Sequence, residues 1–102
     1  MSNGKNKTVL GEAELEVVAR HFKMLGEPMR LKILQSICNE PRTVTDIVAA
    51  VEATQANVSK HLALLAAAGV VTRQKDGQRV YYGIADPLTL KLCELVHSQL
   101  LK

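Results

Sequence analysis

Between positions 55 and 61 the chain reads Gln-Ala-Asn-Val-Ser-Lys-His. Gln55, Asn57, Ser59, Lys60 and His61 supply amides, a hydroxyl, an ammonium and an imidazole, groups that bond base edges or hold phosphates. Catalysis is not expected. Ser59 and His61 stand two apart, so on a helix they point to different sides and cannot act as nucleophile and base. No Gly-rich phosphate loop and no suitably placed carboxylate pair completes an enzyme's set. A second chemistry belongs to the only cysteines, Cys38 and Cys93. Cys93 and His97 share a helix face at i, i+4, and a two-fold axis would double them into four zinc-like ligands, with His21 as a further candidate. Packing is the plainer account of each of these three residues.

The elements that must position these groups follow from periodicity. Val44, Ile47, Val48 and Val51 recur at helical spacing, and so do Val58, Leu62 and Leu65. Thr54 lies between them, where its hydroxyl can cap the second helix. The pair forms a helix-turn-helix whose second helix is expected in the DNA major groove. Residues 70–74 and 79–84 are β-rich runs joined by Lys75-Asp76-Gly77-Gln78, a hairpin signal because Gly accepts the positive φ of the turn. Arg73, Lys75 and Arg79 make that hairpin a basic wing for phosphates, beside Lys60 and His61. A helix dominated by Glu or apolar groups would instead favour a protein-binding adaptor.

Upstream, Leu15, Val18, Ala19, Phe22 and Leu25 mark an amphipathic helix over 12–25, stopped by Gly26. Pro28 opens the next helix, with Leu31, Ile33, Leu34 and Ile37 on its buried side and Arg30 and Lys32 free for solvent or the DNA backbone. Asp86-Pro87 opens a last helix with two apolar stripes. One holds Leu88, Leu92, Leu95 and Val96; the other holds Leu90, Cys93, His97, Leu100 and Leu101. One stripe can cover the chain's own core. The second needs a partner, and a symmetric dimer through the first and last helices supplies one. Residues 1–10 read as a mobile arm, and residues 11–102 as one mainly α domain in the order α-α-α-α-β-β-α.

Composition agrees with this scheme. Hydrophobic residues make up 47% of 102, yet only three residues are aromatic, so the core must be aliphatic, as in helical packing. A net charge of +3 is a mild preference for polyanions, and its placement says more than its total. No apolar run reaches the length of a membrane span and no signal peptide is legible, so the chain is expected in the cytoplasm without a membrane partner. Two cysteines in that reducing compartment are expected as thiols, not as a permanent disulfide.

The run VSKHLALLAAAGVV followed by TRQKDGQRVYYGI, with LGEPMRLKIL upstream, resembles the ArsR/SmtB family of winged-helix repressors. The likeness covers roughly residues 15–100. It implies a dimeric repressor of operator DNA, released by a chemical signal. Glu52 stands in the turn where such motifs often carry Gly, and a right-handed backbone would accommodate it. The family's Cys-x-Cys metal site falls on Thr43 and Thr45, and its Asp-x-His site on Asp86 and Leu88, so neither is complete. Relatives that sense reactive sulfur place cysteines at positions equivalent to Gln35 and Leu100, in the helices that carry Cys38 and Cys93 here. Thiol redox or sulfur sensing through Cys38 and Cys93, without a cofactor, is therefore the favoured expectation. Zinc or another soft metal at Cys93 and His97 across the dimer is the alternative, and two inert thiols the third.

Overall fold

Polar side chains start the helices, each by satisfying a backbone N–H. The computed structural model describes residues 9–101. Most of the expected N-terminal arm, residues 1–8, lies outside that range, as does Lys102. Glu14 Oε1 accepts from Gly11 N at 2.7 Å at the start of α1, Glu12–Leu25. Glu27 Oε1 accepts from Met29 N, and Pro28 opens α2, Pro28–Ser36. Thr43 Oγ1 accepts from Asp46 N at 3.2 Å ahead of α3, Val44–Val51. Thr54 Oγ1 accepts from Asn57 N at 3.1 Å ahead of α4, Gln55–Ala67, as its position in the sequence suggests. Asp86 Oδ1 accepts from Leu88 N at 2.9 Å, and α5 spans Leu88–Leu100.

The sheet has one strand more than expected. Arg42–Thr43 forms a two-residue β1 that pairs with β3, Arg79–Ile84, which in turn pairs with β2, Val71–Asp76. The order is β1-β3-β2, all antiparallel. Two residues are too few to show alternation in sequence, so β1 is visible only through its partner. Gly77, at φ 67°, leads the two-residue turn between β2 and β3. A positive φ at that first position, which a Cβ would oppose, is what keeps this hairpin tight.

A second correction concerns the turn between α3 and α4. Glu52 caps α3 with φ 56° and ψ 51°, a left-handed conformation rather than the right-handed one expected. Its N–H bonds Val48 O at 2.9 Å, which satisfies a last-turn carbonyl and fixes the chain's reversal. The geometry usually given to Gly is imposed here on an L-residue.

One aliphatic core fixes α4. Val58, Leu62 and Leu65 are fully buried against Ile33 and Leu34 of α2, Ile37 at its C-cap and Ile47 of α3, with Val70 and Val71 closing one side. The two ends of the chain are treated differently. Leu25 is the buried residue of α1, and Thr89, assigned to neither stripe, is that of α5. Leu31, expected in the core, is exposed. The radius of gyration is 16.0 Å, with extents of 55 × 32 × 21 Å. A compact chain of this length would have a radius of about 13 Å. The outer helices therefore project from the core instead of wrapping it.

Candidate nucleic-acid interface

The fold divides α4 into a seated face and a presented face. Val58, Leu62 and Leu65 hold it from within, and Gln55, Ser59 and Lys60 are exposed, with Asn57 half-buried beside the Thr54 cap. Either amide, Gln55 or Asn57, can by itself bond an adenine edge in bidentate fashion, while the Ser59 hydroxyl and Lys60 ammonium suit either bases or phosphates. His61 does not belong with them. It is 6% exposed, and its Nδ1 accepts from Arg30 Nε at 3.2 Å. The register explains this. His61 follows Val58 by three positions and precedes Leu65 by four, so it falls on the same inward stripe.

The wing carries its cations on two faces. Arg73 lies opposite Tyr82 and Lys75 opposite Val80, so these four share one side of the hairpin. Arg79 lies opposite Asp76 and shares the other side with Gln74 and Tyr81. All three cations are exposed. Arg73 Nε donates to Tyr82 Oη at 3.3 Å, which braces one guanidinium along the strand. Arg79 instead lines a cleft of about 580 Å³ with Thr43, Thr45 and Asp46, at the amino end of α3. Free N–H groups at a helix start, two hydroxyls and a guanidinium are donors suited to a phosphate, although Asp46 offsets part of that charge. In the sequence Thr43 and Thr45 stand out only as vacant metal-ligand positions. The signal for their place here was the Thr-x-Thr opening of a helix.

The sensing candidates separate. Cys38 is exposed two residues beyond the end of α2, and Cys93 is half-buried in α5. Both are free thiols. Cys93 lines an apolar groove of about 470 Å³ with His97, Phe22, Leu25 and Leu31, near the start of α2 rather than its end. Cys38 is not among the residues that line this groove. Cys93 and His97 do share a site. His21 does not join them, because it lines a different cleft with Met24, Leu64 and Ala68, where its Nε2 is buried without a partner. Among the described residues, no three His, Cys, Asp or Glu side chains converge as a metal site within one chain. No helix among them is long and apolar enough to cross a membrane.

Comparison with known proteins adds to this geometry. Residues 27–73 match the family described as bacterial regulatory protein, arsR family. The chain is 36% identical over 80 residues to a probable mercury resistance operon repressor of Streptomyces lividans, covering 78% of this chain and 64% of that protein, less than two thirds of its length. It is 38% identical over 90 residues to the cadmium resistance transcriptional regulatory protein CadC of Listeria innocua, covering 87% and 76%. A solved structure from Mycobacterium bovis is the homodimeric winged helix-turn-helix DNA-binding domain of a possible ArsR-family transcriptional regulator. Its TM-score is 0.76 at 30% identity, covering 90% of this chain and 88% of that one.

Proposed function

Because the chain belongs to the ArsR family of bacterial regulatory proteins, we propose that it is a dimeric repressor that binds operator DNA and is released by a chemical signal. The observation that carries this reading is the division of α4. A helix seated by Val58, Leu62 and Leu65 exposes Gln55, Ser59 and Lys60, with Asn57 half-buried at its start, next to a basic wing. In this reading Gln55, Asn57 and Ser59 of α4 select bases, while Lys60 holds a phosphate. Arg73, Lys75 and Arg79 hold phosphates and give a salt-dependent affinity. Binding is tested by titrating labelled duplexes selected from a random pool against scrambled duplexes of the same composition. Asn57→Ala is expected to cost about 1–3 kcal/mol on the selected duplex and to relax preference at one position per half-site. Equal affinity of the wild-type protein for both duplexes would refute the reading.

The dimer is supported by apolar surface on the outer helices. Phe22 is 57% exposed, Leu95 62% and Leu100 75%. Surface of this kind on a small domain calls for a partner. A two-fold pairing of α1 and α5 covers it and sets two recognition helices for successive grooves.

For the signal, the thiols remain the first choice, acting separately within one chain. Cys38 is open to reagents, and Cys93 sits where a modified sulfur would push α5 away from Phe22 of α1. The shared groove of Cys93 and His97 favours a second reading, a soft metal bound across the dimer, consistent with relatives named for mercury and cadmium resistance. Operator binding by reduced, diamide-treated, polysulfide-treated and zinc-loaded protein discriminates these. Loss under the thiol reagents alone, abolished in Cys38→Ser/Cys93→Ser, supports the first. Loss with zinc alone supports the second.

A further inference from the structure

The structure assigns Arg30 a role as a positioning residue: through His61 and Met24 it ties α4 to the end of α1, so that α1 sets the angle at which α4 meets DNA. This rests on the DNA-binding reading above and says how the reading helix is held. Arg30 was expected to face the DNA backbone or solvent; it is half-buried, and its guanidinium bonds two neighbouring helices. Its Nε donates to His61 Nδ1 at 3.2 Å, and its Nη1 donates to Met24 O and Met24 Sδ, both at 3.3 Å. Three helices thus meet on one planar, permanently charged fork. Arg30 lies in the first turn of α2, Met24 in the last turn of α1 and His61 in the middle of α4.

Each contact has a chemical reason. Met24 O is among the last four carbonyls of α1, which have no partner within the helix and favour a cation. A nitrogen that accepts from a guanidinium bears no proton itself, so the imidazole carries its proton on Nε2. Lysine, with a single compact ammonium, cannot span both acceptors with the same geometry. The core already holds α4 in place through Val58, Leu62 and Leu65, so Arg30 is not needed to keep the helix formed. What it supplies is directional. Apolar contacts allow a helix to roll by a few degrees, whereas hydrogen bonds to a fixed fork do not. Because α1 also carries the exposed Phe22 and Leu15, a shift in how two copies pair would reach α4 by this link.

The test uses Arg30→Met, His61→Leu and His61→Asn in the full chain, with selected and scrambled duplexes. Asn places its Oδ1 on Cγ as His places Nδ1, so it keeps an acceptor in reach of Arg30. Arg30→Met and His61→Leu are expected to lose about tenfold in preference for the selected duplex, with affinity for scrambled DNA and its salt dependence retained. His61→Asn should keep most of the preference. Nitrogen-15 spectra of the His61 imidazole should show the Nε2–H tautomer in the wild type and lose its dominance in Arg30→Met. Unchanged preference and tautomer in Arg30→Met would overturn the proposal. So would a defect in His61→Asn as large as in His61→Leu, since the ring's volume would then matter and not its acceptor. That pair decides alone if Arg30→Met does not fold. Wild-type protein with no preference for either duplex would instead refute the DNA-binding reading.

Discussion

Glu52 holds a left-handed backbone at φ 56° in the turn that aims α4, a conformation that costs an L-residue about 1–2 kcal/mol. Glu52→Gly should therefore stabilise the protein by about 1 kcal/mol, less the extra entropy that glycine gives the unfolded chain. Thermal unfolding at fixed protein concentration measures it, with a midpoint raised by several degrees, on the order of 4 °C or more per kcal/mol. A lowered midpoint would show that the Glu52 side chain compensates for its backbone. At this scale the sequence was only partly legible. The polar character of Gln55, Asn57, Ser59 and Lys60 could be read directly. The direction of His61 was obscured by its chemistry, since an imidazole looks like a base reader until its place on the Val58–Leu65 stripe is noticed. Arg30 was misread for the same reason. A charge on a helix is solvated by default, and only its contacts with His61 and Met24 reveal the inward turn.

Elements were legible wherever a period or a punctuating residue marked them. The bounds of α1, the Thr54 cap, the Gly77 turn and the β3 strand all follow from such signals. The strand β1 was not, because pairing of Arg42 with Tyr82 and Thr43 with Tyr81 is a long-range choice that two residues cannot announce. The β2–β3 register separates the wing's cations, and this leads to a prediction. Arg79→Ala should weaken all duplexes about equally and lower the salt slope by about 1, since its place beside Thr43 and Thr45 suits a phosphate. Arg73→Ala should do the same and also release Tyr82 Oη from its bond. Duplex titrations over a range of salt concentrations measure both. An Arg79→Ala protein with wild-type slope would remove the α3 cleft from the interface.

At the scale of the whole molecule, the outer helices carry apolar faces that one chain does not cover. The two stripes of α5 were visible in its periodicity, but burial does not follow either stripe: Leu90, Leu92 and Cys93 are half-buried, whereas Leu88, Leu95, Val96, Leu100 and Leu101 are exposed. A sequence shows that a face is apolar and does not show which surface covers it. Phe22→Glu, on this surface, should convert a dimer at micromolar concentration into a monomer in sedimentation equilibrium and weaken operator binding, while leaving the helical content intact. A Phe22→Glu protein that remains dimeric would move the interface elsewhere. The central claim is that two seated α4 helices read duplex DNA from a symmetric dimer, and selection from a randomised duplex pool, followed by sequencing, tests it most directly. The expected product is an inverted repeat with half-site centres about 10–10.5 base pairs apart, or a multiple of that spacing. A pool that shows no enrichment, or enriches a single site without two-fold symmetry, would contradict it.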